Sequence, residues 1–214
     1  MFLCLVHLIH QYSDPVVTHG NWTLVFRGLG NIDKSVYDAY THTSLGHDQP
    51  LSPMYTIGCL RLDTNLSCDH HFRSNILNKW SNQTITEVKF GIYKDGVMEK
   101  FFLFNGSSST LLSWFSSANL IDSSWSDLTR SPIRSFSIQG YADPNSVRRM
   151  YVQKYDPGCD VDTGWFVCVD KATDWCPWGR KGPTFPRFLY SPANTSACNK
   201  DMTAAEIIAI FIKF

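Results

Sequence analysis

The segment 84–106, TITEVKFGIYKDGVMEKFFLFNG, carries the strongest folding signal in the chain. Two runs rich in β-branched and aromatic residues flank Asp95-Gly96. An Asp-Gly pair between such runs is typical of a type I′ turn, whose two central residues both have positive φ. The segment therefore predicts a β-hairpin, and with it an antiparallel sheet.

Strand patterns dominate the rest of the chain as well. NWTLVFRG places Trp22, Leu24 and Phe26 on one face, with the period of two that a strand with one buried face shows. Further strands are predicted in RSFSIQG, RRMYVQKY, TGWFVCVD, FPRFLYS and EIIAIFIKF. Only STLLSWFSSANLI, residues 109–121, has a helical pattern, and it is short.

These patterns predict a mostly β fold, a single-domain antiparallel β-sandwich with one or two short helices and stabilising disulfides. A mixed α+β domain is the alternative. With 214 residues, 43% of them hydrophobic, the chain is long and apolar enough for one sizeable core. We expect residues 20–214 to form one extracellular β-rich domain and residues 1–19 to be a signal peptide or an N-terminal extension.

The N-terminal apolar run from Phe2 to Ile9 has about the length of a signal-peptide core and is too short to cross a bilayer. It has no basic residues before it and no clear cleavage site after it, so a buried strand is the alternative. No other segment approaches membrane-spanning length, and the formal net charge is zero. A neutral chain has no field that attracts nucleic acid or anionic membranes. A glycan or an extracellular protein is the expected partner.

The cysteine count favours an oxidising compartment. Removal of Cys4 with a signal peptide would leave an even set, suited to three disulfides: Cys59, Cys68, Cys159, Cys168, Cys176 and Cys198. Cys59–Cys68 is the natural local pair. Cys159–Cys176 and Cys168–Cys198 are predicted for the remainder, the second because a mid-strand cysteine would join its strand to another segment.

Glycosylation sequons agree with export. Five N-x-[ST] triplets are present, where the 11 Asn and 37 Ser plus Thr among 214 residues would give about two by chance. They begin at Asn21, Asn65, Asn82, Asn105 and Asn194. The chain is predicted to be a secreted glycoprotein with these asparagines on its surface.

Seven segments follow one another along the chain: WTLVFRG, SVYDAY, WFSSANLIDSSWSDL, FSIQG, GCDVDTGWFV, CPW and a closing IIAIF strand. Together they resemble a family of secreted proteins from molluscs and other marine invertebrates. The resemblance covers about residues 20–214 and implies secretion and a single domain. The Trp-Thr-Leu-Val strand is also distantly similar to fibrinogen-like and intelectin domains. Their C-terminal calcium loop has no counterpart here.

Residues 158–182, GCDVDTGWFVCVDKATDWCPWGRKG, concentrate the candidate binding residues. Trp165 lies in a strand pattern that places it on one face with Val167 and Val169, opposite Phe166 and Cys168, and it is predicted to be core. Trp175 and Trp178 flank Cys176-Pro177 in a predicted loop, where indole rings suit stacking on sugars. The predicted ligand-binding residues are Trp175, Trp178, Asp174 and Arg180.

Two further sites are suggested by charge and histidine. Asp160 and Asp162, with Asp170 or Asp174, are weak candidates for a calcium ion, although the spacing is not that of an EF-hand. Asp69, His70 and His71, with His47, offer zinc ligands, but adjacent strand residues point to opposite faces. The alternative for the aspartates is a polar turn that leads into a strand, and the alternative for the histidines is a polar segment after a disulfide. No other cofactor is expected.

No local catalytic signature occurs in the sequence: GxSxG, HExxH, a phosphate-binding glycine loop and CxxC are all missing. The predicted function is a secreted binding module, lectin-like in carbohydrate recognition, that acts in defence, adhesion or the extracellular matrix. A secreted glycosidase- or esterase-type hydrolase and a structural matrix protein are the alternatives.

Overall fold

The computed structural model describes residues 18–44, 56–157, 161–173, 182–197 and 201–214. Its strands form two antiparallel sheets, so the predicted mostly β sandwich is confirmed. Sheet 1 contains β1 (Thr18–His19), β2 (Trp22–Leu29), β3 (Phe72–Arg73), β4 (Glu87–Lys94), β5 (Val97–Asn105), β6 (Leu120–Ser123) and β14 (Ile207–Lys213). Sheet 2 contains β7 (Ser135–Ser137), β8 (Tyr141–Asp143), β9 (Ser146–Tyr155), β10 (Thr163–Ala172), β11 (Arg187–Tyr190), β12 (Ser196–Ala197) and β13 (Thr203–Ala205).

The strand order of sheet 1 is β1-β2-β14-β4-β5-β6, with β3 also paired to β2. The order of sheet 2 is β13-β11-β10-β9-β7, with β12 on β10 and β8 on β9. The predicted hairpin is β4–β5, and Asp95 and Gly96 at its turn have φ of 51° and 77°, as a type I′ turn requires. No helix in the described residues is long and apolar enough to span a membrane.

Helical structure is limited to short segments. The described residues contain one α-helix, α1 (Val36–Thr41), and 3₁₀ segments at Ile57–Leu60, Asn75–Asn82, Ser117–Asn119 and Leu128–Arg130. The helix predicted over 109–121 is wrong. There Thr110 N–H donates to Ser113 Oγ at 2.8 Å and Ser113 N–H donates to Thr110 Oγ1 at 3.2 Å. This reciprocal pair has the pattern of a helix-capping box, but the chain continues in turns and bends rather than in a helix.

Aromatic side chains fill the space between the two sheets. The Phe102 ring, from β5, is fully buried at the centre and meets six other rings at centroid distances of 4.8–6.4 Å. These are Phe90, Phe104, Phe115, Trp125, Phe136 and Phe166. Offset and edge-to-face contacts of this kind add to the free energy gained by burying the rings.

The outer face of sheet 1 is partly covered by residues 56–73, which we call the cap. The predicted Cys59–Cys68 disulfide is present and braces the cap, and β3 ties the cap to β2. Arg27 is buried beneath it and donates from Nε to the Arg61 carbonyl at 2.6 Å. Burial lowers the pKa of Arg27 to about 10. Because the cap covers this face, β2 is buried on both sides rather than on one. The prediction that Trp22, Leu24 and Phe26 share a face is also wrong, because a register shift against β14 turns Phe26 into the core between the sheets.

Candidate functional site

Most of the predicted binding residues belong to segments that the structure does not describe. Trp175, Trp178, Asp174, Arg180 and Asp160 lie outside the described residues. So do His47 and three of the predicted disulfide partners, Cys159, Cys176 and Cys198. The structure does place Trp165, Asp162, Asp170, Cys168 and the histidine pair.

Trp165 is fully buried in the core between the sheets, as predicted. Its Nε1–H donates to Asp127 Oδ1 at 2.8 Å. The register between β10 and β9 shifts at this point, so Trp165 and Phe166 both pack into the same core. The simple alternation predicted for this strand, with Trp165 and Val167 on one face, is therefore wrong.

Asp162 has its carboxylate committed to a protein partner. It is buried and accepts a hydrogen bond from Arg148 Nη1, forming an ion pair that is itself buried. Arg148 also donates to the Tyr151 hydroxyl at 3.0 Å, and its guanidinium lies 5.0 Å from the Tyr141 ring centroid. Such a pair is stable only when both charges stay together. This internal use of the carboxylate argues against Asp162 as a calcium ligand.

Asp170 likewise serves the fold, because it holds the start of α1. Oδ1 accepts from Val36 N–H at 3.0 Å, and Oδ2 accepts from the Ser35 hydroxyl at 2.7 Å. Burial raises the pKa of Asp170, while these hydrogen bonds act in the opposite direction. The Cys168 thiol donates to Oδ1 at 3.6 Å.

Cys168 is a free, fully buried thiol, so the predicted Cys168–Cys198 disulfide is not formed. The strand that carries it, β10, is paired on both sides by β9 and β11, and the Cys168 side chain points into the core between the sheets. A mid-strand cysteine in this position packs as a small apolar residue rather than as a lateral staple.

The two adjacent histidines diverge, as expected for neighbours on an extended segment. His71 accepts from Leu29 N–H through Nδ1 at 3.0 Å, and its Nε2 lies 2.9 Å from the Lys34 carbonyl, to which it donates when neutral. His70 Nδ1 lies 3.0 Å from Asp69 Oδ1 and 3.6 Å from Cys59 Sγ. The Cys59 sulfur is in a disulfide and is no thiolate ligand. The histidines therefore serve the cap and β2.

A groove on the outer face of sheet 1, beside the cap, is the candidate site. It has a volume of about 110 Å³, below the roughly 300–1,000 Å³ of a drug-sized pocket, so it suits one terminal unit of a larger ligand. Its walls come from β1, β2, β4, β5 and β14, five neighbouring strands. The lining residues are His19, Trp22, Lys89, Tyr93, Met98 and Phe211, and we call this the aromatic groove.

The strand register brings these side chains together in pairs. His19 lies opposite Trp22, Phe211 opposite Lys89, and Tyr93 opposite Met98. On β14 the odd-numbered residues Ile207, Ala209 and Phe211 face outward, while the even-numbered isoleucines enter the core. Cross-strand neighbours on one face of a sheet are close enough to pack directly.

The floor of the groove depends on a glycine. Gly91 lies between Lys89 and Tyr93 on the outer face of β4, and the Tyr93 ring lies back over it. A Cβ atom at position 91 would come within 2.6 Å of Tyr93 Cε2. Burial raises the pKa of the Tyr93 hydroxyl to about 12.

Two ammonium groups approach Trp22. Lys89 Nζ lies 4.1 Å from the indole centroid, and Lys213 Nζ lies 5.9 Å from it. Glu87 Oε2 pairs with Lys213 Nζ at 2.9 Å. At the opposite wall, His19 packs edge-on against Phe211 with the ring centroids 5.4 Å apart. The groove therefore combines apolar rings with cationic side chains.

Rings and cationic side chains determine the chemistry of the aromatic groove. Among the described residues that line the aromatic groove there is no carboxylate, whereas glycoside hydrolysis ordinarily requires two. No single segment of the sequence contains this site, because its residues come from five strands. The alternation of β4 could have suggested it, since Lys89 and Tyr93 fall on the face opposite Phe90 and Ile92.

A second cavity, of about 280 Å³, lies where the Asn75–Asn82 segment meets the 110–111 turn. Its lining combines polar side chains, among them Asn78, Lys79 and Asn82, with apolar ones such as Leu77 and Leu111. Trp80 borders it but is almost fully buried and donates from Nε1 to Ser109 Oγ at 3.2 Å. Its indole thus serves the fold, and none of the described residues that line this cavity offers a ligand an exposed aromatic ring.

The five sequon asparagines are all exposed: Asn21, Asn65, Asn82, Asn105 and Asn194. Asn21 occupies the two-residue turn between β1 and β2, next to groove residue Trp22. A glycan on Asn21 would therefore stand at the edge of the groove. Comparison of the chain with protein-family models, with curated proteins and with solved structures gives no match.

Proposed function

We propose that this protein is a secreted glycoprotein that binds carbohydrate through the aromatic groove, acting in defence, adhesion or the extracellular matrix. The observation that carries the proposal is the groove itself, in which Trp22 and Lys89 lie beside a floor formed by Tyr93 and Phe211. Aromatic faces pack against the C–H faces of sugars, and a few polar groups beside them orient the hydroxyls.

Secretion is supported by two independent features. The Cys59–Cys68 disulfide is of a kind that persists in oxidising compartments. The five sequon asparagines are exposed, so each is accessible to a glycosyltransferase. The resemblance to secreted invertebrate proteins points the same way and remains a prediction.

The test is a glycan array probed with the purified protein and with Trp22→Ala. Loss of a central aromatic contact should weaken binding by about 1 kcal/mol or more, roughly five-fold. Tyr155→Ala is the matched control, because Tyr155 is an exposed aromatic residue on sheet 2, outside the groove. Near-ultraviolet circular dichroism checks that each variant is folded. Equal glycan binding by Trp22→Ala and the parent protein would rule the groove out.

The same array is also probed with Asn21→Gln, because a glycan on Asn21 would lie beside the groove. Asn21→Gln removes the sequon and leaves the turn backbone unchanged, because Asn21 is exposed and Gly20 supplies the positive φ of the turn. Binding that appears only in Asn21→Gln would mean that the protein's own glycan covers the groove.

The predicted loop with Trp175 and Trp178 is the second candidate for the same function. Trp178→Ala on the same array separates the two sites. Loss of binding in Trp178→Ala with retention in Trp22→Ala would move the site to that loop. A panel of glycoside and ester substrates, run in parallel, tests the hydrolase alternative; turnover that depends on one carboxylate would replace the binding proposal.

A further inference from the structure

We propose that the aromatic groove selects acidic saccharides, with a carboxylate or sulfate of the terminal sugar unit bound by the Lys89 ammonium. This inference rests on the proposed carbohydrate-binding function and names the class of ligand that the site takes. Its basis is the position of Lys89, the local imbalance of charge and the size of the groove.

Trp22 positions Lys89. The ammonium lies 4.1 Å from the indole centroid, a distance at which the ring quadrupole attracts a cation. A ring face attracts a cation without neutralising its formal charge. The Lys89 N–H groups directed away from the indole are thus available to an acceptor that enters the groove.

The local carboxylate is already engaged. Glu87 pairs with Lys213 at 2.9 Å, and it is the cross-strand neighbour of Lys213 in the β4–β14 register. Two ammonium groups therefore share one carboxylate beside Trp22. Partial burial and the charge of Lys213 lower the pKa of Lys89, and Glu87 only partly opposes them. An incoming anion would relieve this excess of positive charge.

The dimensions suit a single charged sugar unit. A volume of about 110 Å³ admits a terminal unit but not an extended chain. The rings of Tyr93 and Phe211 are almost fully buried in the floor, whereas Met98 is 41% exposed. An acidic sugar could place its anionic group on Lys89 and its apolar face against Trp22 and Met98. A neutral sugar would use the apolar contact alone.

The experiment is isothermal titration of the glycoprotein and of its Asn21→Gln form with methyl glucuronide, a sulfated methyl galactoside and the matched neutral glycosides. We expect the acidic ligands to bind about ten-fold more tightly, as a charge-assisted hydrogen bond implies, and to weaken at high salt. Lys89→Met, which keeps an apolar stem beside Trp22, should reduce acidic binding to the neutral level. Lys154→Met is the control, because Lys154 is exposed on sheet 2.

Each contrary outcome has a distinct meaning. Equal affinity for acidic and neutral glycosides overturns the acidic preference and leaves the carbohydrate proposal standing. Inorganic sulfate that binds as tightly as the sulfated glycoside would show an anion site without sugar recognition, which overturns this inference. If neither glycoside class binds either form of the protein, both proposals fail together.

Discussion

Gly91 and Tyr93 lie on one face of β4, and the Tyr93 ring occupies the space in which a side chain at position 91 would stand. The close approach is 2.6 Å from an added Cβ to Tyr93 Cε2. The absence of a side chain at one residue therefore shapes the floor of the aromatic groove two residues away.

Gly91→Ala should displace the Tyr93 ring and weaken saccharide binding several-fold, with a loss of about 1 kcal/mol in the free energy of unfolding from overpacking. Titration with the preferred glycoside and urea unfolding measure the two effects. The double variant Gly91→Ala/Tyr93→Ala should have a higher free energy of unfolding than the sum of the two single effects predicts, because without the Tyr93 ring the alanine meets no clash. Additive effects would contradict this account of the groove floor.

Trp165→Ala should destabilise the protein by about 3–5 kcal/mol, because it removes a large buried ring and leaves a cavity between the sheets. It also leaves Asp127 without one of its hydrogen-bond donors. Tyr155→Ala, at an exposed aromatic residue, should change stability by less than about 0.5 kcal/mol. Urea unfolding compares them, and similar midpoints for the two variants would show that Trp165 is not part of the core.

His71 should make stability depend on pH. Burial lowers the pKa of His71 to about 4, below its ordinary value of 6.5, so the unfolded chain binds the proton more readily than the fold does. The contribution of neutral His71 to the free energy of unfolding is complete above pH 6.5 and is lost progressively as the pH falls from 6.5 to 4. A pKa difference of this size corresponds to about 3 kcal/mol.

Urea unfolding between pH 7 and pH 4 measures this dependence in the parent protein and in His71→Gln. The variant should lose stability overall but show a shallower decline with acid. His42→Gln is the matched control at an exposed histidine and should keep the parent slope. An unchanged slope in His71→Gln would remove His71 as the cause.

Cys168 should resist iodoacetamide in the folded protein and react fully in denaturant. The thiol is fully buried, and burial, reinforced by the neighbouring Asp170 carboxylate, raises its pKa well above the ordinary value. Mass spectrometry of a non-reduced digest provides the measurement, and the Cys59–Cys68 peptide pair is the internal control for an intact disulfide. A linked peptide containing Cys168 and Cys198 would contradict the free thiol.

Local sequence patterns predict where the strands lie better than they predict which face of the sheet each side chain occupies. The hairpin at Asp95-Gly96 is confirmed because its turn chemistry is local. The alternation fails in β2 and β10 because a register shift places successive residues, Val25 with Phe26 and Trp165 with Phe166, in the same core. Such a register shift depends on the partner strand as well, and the partner strand lies in another part of the sequence.

The aromatic groove leaves a weaker pattern in the sequence than the strands do. Trp175 and Trp178 stand out in the sequence because aromatic residues are dense around them and stay a prediction, whereas the aromatic groove draws single residues from five strands. Only the sheet order makes Lys89 a neighbour of Trp22, since β14 lies between the strands that carry them. A short-range motif search cannot detect such a site.

The position of β14 also bears on how the protein is made. It separates β2 from β4, and its pairing with β2 joins residues about 180 positions apart, such as Leu29 and Ile207. Until β14 has been synthesised, the backbone N–H and C=O groups along the facing edges of β2 and β4 lack the partners that β14 supplies. Long-range closure of this kind is slow and leaves open edges for wrong pairing. A folding chain should therefore need chaperone protection until β14 pairs with both strands.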